Sequence, residues 1–234
     1  MIVNYTNLQI NENKEIMDSK INQSIKSKNF IKIENIEIIR GNNRLFTKYN
    51  YKFLHGNLYI ITGSNGIGKT TLLKCICGLI EPDKGKVFWN DMPVEKDYQE
   101  FYKNITYLGH LNSSFPNLSV ADNINFLSIL NGNKTISVQN DNFGILPYKN
   151  HSFSSLSNGQ KRRVALSSYN LSTKPLWVMD EPLNSVDKTY ENIFLELIND
   201  HIKKNGIAII SSHDVHQYKK FKNCNIINLD KLYE

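Results

Sequence analysis

Residues 58–73, LYIITGSNGIGKTTLL, constrain the rest of the chain: an apolar β-type run, a glycine-rich turn and the start of a helix follow without interruption. Gly63, Gly68, Lys69 and Thr70 fit G-x-x-x-x-G-K-[ST], with Gly66 as an extra glycine inside the loop. The β- and γ-phosphates of a nucleotide need several backbone N–H groups converging on them, and glycines let the chain curl tightly enough to supply these. The helix starting near Gly68 turns its positive N-terminal end to the same anion, Lys69 adds a point charge, and the Thr70 hydroxyl is placed to ligate Mg2+. Gly63, Ser64, Asn65, Gly66, Ile67, Gly68, Lys69, Thr70 and Thr71 are thus the candidate nucleotide-binding residues. The alternative is a glycine-rich turn that binds nothing, and motifs downstream weigh against it.

A chain of 234 residues has room for one α/β domain with an inserted lobe and is short for two independent domains. No apolar run approaches the roughly 18 residues of a membrane helix, and no charged-then-apolar signal opens the sequence. The expectation is a soluble protein, or one peripheral to a membrane through a partner. A net charge of +6 could point to nucleic acid, but the lysines are spread along the chain among acids. Asn, Ile and Lys share AT-rich codons, so base-composition bias is the preferred cause and no nucleic-acid partner is expected. Cys75, Cys77 and Cys224 are odd in number and cannot all pair within the chain. Two residues apart on a helix, Cys75 and Cys77 point to different faces, which argues against a shared metal and for buried thiols in a reducing compartment.

Residues 1–29 are polar and Asn/Lys-rich, an expected disordered extension, with a weak amphipathic helix through Met17, Ile21 and Ile25 as the alternative. From residue 30 to 234 the chain reads as one domain. IKIENIEII, LFTKYNYKF and NLYIIT give three strands leading into the phosphate loop. Arg40, in IIRGNNRLF, stands where nucleotide-binding domains of this shape often carry an adenine-stacking aromatic; it is either a guanidinium stacked on the base or a plain turn arginine. The helix from Lys69 carries Leu72, Leu73, Ile76 and Leu79 as core and ends near Gly78, and KVFWN is the next strand. A strand over 105–109 leads through a loop to a helix beginning near Ser119, where Ser119 and Asp122 resemble a capping box. Residues 119–157 are read as a small helical insert.

LSNGQKRRVAL then sets Ser157, Asn158, Gly159 and Gln160 at a helix N-terminus, the anion-binding logic of the first loop repeated. A short apolar strand over 176–179 ends in Asp180-Glu181-Pro182. Adjacent carboxylates there can divide their roles, Asp180 holding Mg2+ through water and Glu181 acting as general base; the alternative is a surface acid pair. After LNSVD and a helix over 187–204, the strand IAIISS ends near His213, at the sheet edge where ligands of open α/β sheets bind. NIINL closes the domain.

The order GSNGIGKT, LSNGQ, LWVMDE, LNSVD and His213 resembles the ATP-binding subunit of ABC transporters, over about residue 31 to the C-terminus. The resemblance implies an α/β P-loop NTPase fold with an antiparallel β subdomain and a small inserted helical subdomain. It implies an ATPase with ATP and Mg2+ as cofactors, in which two copies pair head to tail and sandwich ATP between Lys69 and its loop on one copy and Ser157 and Gly159 on the other. Glu181 is then the base and His213 the γ-phosphate contact. Within this superfamily ITGSNGIGKTTLL, GKVFWND, ITYLGH, LSNGQKRRVAL and KPLWVMDEP, with Trp89 and Trp177, look similar to the cytochrome c maturation protein A family. That family implies integral membrane subunits as partners, a haem chaperone indirectly, and a peripheral location on the cytoplasmic or mitochondrial-matrix face of an inner membrane. The alternatives are an exporter subunit for another substrate, or a soluble non-transport ABC protein. One departure stands out: His110-Leu111-Asn112 lacks the family's loop glutamine, and His110 or Asn112 is expected to take over its polar contact.

Overall fold

A computed structural model describes residues 29–41, 43–110, 114–132 and 141–232. The N-terminal extension before Asn29 and the candidate Asn112 lie outside them.

The opening strands form where the apolar alternation places them. β1 (Phe30–Arg40) pairs antiparallel with β2 (Asn43–Leu54) and with β4 (Lys84–Trp89), and β5 (Met92–Pro93) extends β4, giving the order β2-β1-β4-β5. β3 (Asn57–Thr62) leaves that sheet and enters a parallel one with β6 (Ile105–Leu108), β7 (Leu176–Asp180), β8 (Ile207–Ser211) and β9 (Cys224–Asn228), in the order β6-β7-β8-β3-β9. The helices are α1 (Lys69–Ile76), α2 (Tyr98–Asn104), α3 (Val120–Leu130), α4 (Asn158–Ser167) and α5 (Lys188–Lys203).

Both faces of the parallel sheet are buried, so its strands read as continuous apolar runs whose alternate residues enter different cores. Tyr59, Ile61, Val178 and Ile209 face a core shared with β1, β2 and the Leu72, Leu73 and Ile76 stripe of α1. Leu58, Ile60, Met179 and Ile210 face a second core with α3, α4 and Phe194, Leu195 and Ile198 of α5. This sandwich fixes the carboxyl ends of the central strands side by side: Ile61 pairs with Ser211, and Ser211 with Asp180.

Two local expectations need correction. Leu79 is not core but half exposed, because Gly78 adopts a left-handed φ of 66° and turns the chain off the α1 stripe; the amides of Gly78 and Leu79 return to Cys75 O and Lys74 O. Ser119 caps α3 by accepting from the Asp122 amide, but Asp122 bonds the Ser119 hydroxyl at 2.6 Å, so the reciprocal bond to the capping backbone is missing. Cys75 and Cys77 are buried, with burial pushing the Cys75 thiol up to about 12, whereas Cys224 is only half-buried.

Candidate nucleotide-binding and hydrolysis site

The loop between β3 and α1 wraps with left-handed φ at Gly63, Gly66 and Gly68. Among the described residues no side chain caps α1 and none lies within 4 Å of a Cβ added at Gly66, so the loop's open side is free for an anion to approach the backbone. Lys69 is buried and its Nζ donates to Gly63 O at 2.9 Å and Ser64 O at 3.1 Å, arching over the loop. Asp230, in the turn after β9, accepts from the Ser64 amide at 3.1 Å and the Ser64 hydroxyl at 2.7 Å. Those bonds, with the Lys69 charge nearby, hold its carboxyl below the usual carboxylate range.

The ends of β7 and β8 bring the acids to this loop. Asp180, 2% exposed, accepts from the Thr70 hydroxyl at 2.8 Å and from the Ser211 hydroxyl. An oxygen pair of this kind, hydroxyl and carboxylate already in contact, suits a hard divalent cation. Glu181 adopts φ 47°, its amide reaching Ser211 O at 3.2 Å and Ser211 Oγ at 3.0 Å. Its carboxylate meets His213 Nε2 at 2.9 Å through Oε1 and accepts from the Asn184 side-chain Nδ2 through Oε2. His213 therefore engages the neighbouring acid, a partnership its position alone did not reveal.

At α4, Ser157 and Gln160 form a full capping box: Ser157 Oγ accepts from the Gln160 amide at 3.3 Å, and Gln160 Oε1 accepts from the Ser157 amide at 2.8 Å. Fewer amides are bare here than the sequence suggested, since two of the four serve the cap. Asn158 and Lys161 share a cleft of about 810 Å3 with His110, Phe115, Phe126 and Glu181. Among the described residues none of the phosphate loop lines that cleft. Arg40 is exposed at the end of β1, donating to Ile39 O at 2.8 Å with Asp83 Oδ2 4.0 Å away.

A family model described as ABC transporter matches residues 46–184. The chain is 37% identical over 190 residues to the "Cytochrome c biogenesis ATP-binding export protein CcmA" of Histophilus somni (strain 129Pt), covering 79% of this chain and 87% of that protein. It is 33% identical over 202 residues to the protein of the same name from Pasteurella multocida (strain Pm70), covering 85% and 95%. The chain belongs to the CcmA family of ABC transporter ATP-binding proteins. A solved putative ABC transporter ATP-binding protein from Pyrococcus furiosus shares its fold, with a TM-score of 0.68 and 27% identity over 86% of this chain and 98% of that one. As an ABC ATPase the CcmA-family chain binds and hydrolyses ATP. Both named curated relatives are bacterial, so nothing among them favours the mitochondrial alternative. Among its described residues no helix is long and apolar enough to cross a membrane.

Four residues of this candidate site were not singled out from sequence: Asp230 on the phosphate loop, Ser211 on Asp180, Asn184 on Glu181, and Arg162 beneath the Glu181 backbone. Asn184 could have been found, because it lies inside LNSVD. The others carry no local signal.

Proposed function

We propose that this chain is the ATP-hydrolysing subunit of a membrane complex that handles haem for cytochrome c maturation, and that two copies close head to tail around ATP. The observation that carries the chemistry is the convergence of two strand ends on the start of α1: Thr70 on Asp180 at 2.8 Å, with Glu181 and His213 paired at 2.9 Å one step along. The curated relatives' printed role in cytochrome c biogenesis and export supports the cargo and the membrane partners.

In this reading the loop amides and Lys69 hold the β- and γ-phosphates, and Lys69 exchanges its carbonyl partners for phosphate oxygens. Thr70 and Asp180 would hold Mg2+, which supplies charge neutralisation at those phosphates. Glu181 takes the proton of the attacking water, while His213 steadies the Glu181 carboxylate and reaches the γ-phosphate from the end of β8. Ser157 and Gly159 of the second copy close the site over the nucleotide. His110, exposed in the cleft beside Glu181, supplies the polar contact that the missing glutamine would make, and Arg40 lies against the adenine. The chain is peripheral on the inner face of the membrane, carried there by its integral partners.

Two measurements test this. Glu181→Gln with ATP and Mg2+ is expected to accumulate a dimer on gel filtration, and a variant that stays monomeric under those conditions overturns the closure. The tagged chain, purified from detergent-solubilised native membranes, is expected to bring down integral membrane subunits and haem absorption. Membrane partners of another transport class without haem leave the ATPase in place and replace its cargo.

A further inference from the structure

Arg162 has no part in the mechanism above, yet it is the most heavily engaged cation of the site. It lies on α4, five residues beyond the capping Ser157, and is 4% exposed. Its Nη2 donates to Asp180 O at 2.7 Å and Glu181 O at 2.6 Å, its Nε to Pro182 O at 2.9 Å, and its Nη1 to Gly109 O at 3.1 Å. Three of these carbonyls follow one another along the turn after β7; the fourth is the first residue beyond β6.

From the opposite side, Ser211 of β8 takes the Glu181 amide. The Glu181 residue is thus held at both ends, its N–H by β8 and its carbonyl by α4, in a left-handed conformation that a glutamate rarely adopts without such constraint. A carboxylate can be aimed only as well as the backbone that bears it. The same guanidinium reaches the loop that runs from Gly109 to His110, so three segments around the cleft share one anchor.

We propose that Arg162 is a positioning residue for hydrolysis: it fixes the backbone from which the Glu181 carboxylate projects, and ties it to the helix that presents Ser157 and Gly159. Displacement of α4 and the aim of Glu181 then become one event, so that a site completed by the second copy at one end of α4 is felt at the chain's own base. The proposal rests on the reading of Glu181 as that base. Only a planar guanidinium spans four acceptors in two separate segments; an ammonium is a compact charge with three donors and cannot hold them together. None of the four carbonyls that Arg162 holds belongs to the phosphate loop, so nucleotide binding is expected to stay while chemistry falls.

The test is steady-state ATP hydrolysis and ATP binding by the full chain carrying Arg162→Lys, Arg162→Gln, Glu181→Gln, or Arg162→Lys with Glu181→Gln. Displacement of the base by about an ångström is expected to lower kcat on the order of 100-fold for Arg162→Lys and Arg162→Gln, with KM for ATP within about 3-fold of the parent. Added to Glu181→Gln, Arg162→Lys is expected to change the residual rate less than about 3-fold, because the group it positions is already gone. The proposal is overturned if Arg162→Lys keeps the parental kcat, if it lowers the Glu181→Gln rate as much as it lowers the parent's, or if both Arg162 variants lose ATP binding, which is the mark of a fold brace. Parental turnover by Glu181→Gln instead removes the base itself, and is read from that variant alone.

Discussion

Gly159 has no room for a side chain. A Cβ there would stand 2.7 Å from Ser185 O, a backbone atom in a residue that itself holds φ 63°. The turn after β7 is therefore latched against the first turn of α4 within the same chain, and Asn184 in that turn carries the bond to Glu181. Gly159→Ala must push the turn away and take Asn184 with it, so ATP turnover is expected to fall about tenfold while Tm drops by roughly 2–4 °C. Parallel ATPase assays and thermal melts check this, and parental turnover with parental Tm would show that the turn yields freely. The glycine then has two reasons to be here, one in the proposed dimer, toward the phosphate of a second copy, and one facing Ser185. Only the first could be read from S-N-G-Q; the second exists only once the chain is folded.

Among the elements, β2 has a task beyond its place in the antiparallel sheet. Phe46, buried and opposite Ile38 of β1, reaches under the start of α1, where a Cβ on Gly68 would meet its ring at 3.1 Å. The phosphate loop thus rests on an aromatic floor supplied by another sheet. Phe46→Ala opens a cavity in the first core, and core Phe→Ala changes cost about 3–5 kcal/mol. Its second effect is local: with the floor gone the loop amides spread, and KM for ATP is expected to rise at least about 5-fold, a shift near 1 kcal/mol. Urea unfolding and ATP titration measure the two separately. A destabilised variant with parental KM would mean that the loop keeps its shape without Phe46. The elements themselves were readable because each face of each strand and helix repeats its apolar residues at a fixed period, as β3 does by sending Leu58 and Ile60 to one core and Tyr59 and Ile61 to the other. Leu79 fell outside this rule because it lies past the left-handed Gly78, where the helical period no longer directs its side chain.

Over the whole molecule, what could be read was what is local. The phosphate loop, the Asp180-Glu181 pair and the N-terminus of α4 each sit within a few residues, so their spacing could be read before folding, although the capping box at Ser157 and Gln160 was not. Asp230 meets Ser64 across 166 residues and Arg162 meets Gly109 across 53, and a lone polar residue gains meaning only when the topology brings its partner. His201 is of this second kind and stands at the opposite, amino end of the parallel sheet. Its ring lies flat on Trp177 near the start of β7, centroids 3.8 Å apart and planes within 8°, with Nε2 3.2 Å from Ile207 O at the start of β8. Gly206 packs so close that a Cβ there would fall 2.2 Å from Nε2, leaving no space for water to follow a charge. Burial lowers the His201 pKa to about 3 from 6.5, well beyond what its hydrogen bonds to backbone carbonyls restore. The folded value lies below the unfolded one, so above pH 6.5 both states are neutral and the site is indifferent to pH. Below pH 6.5 the unfolded chain takes a proton that the folded chain refuses, and stability falls until pH reaches about 3. At pH 5 the difference amounts to about 2 kcal/mol from this group. His201→Phe keeps a flat ring on Trp177 and cannot titrate, so its unfolding free energy in urea is expected to fall about 2 kcal/mol less than the parent's between pH 7.5 and pH 5. Equal losses in the two proteins would mean that the ring is protonated within the fold, and that the amino end of the sheet admits the charge this packing is argued to exclude.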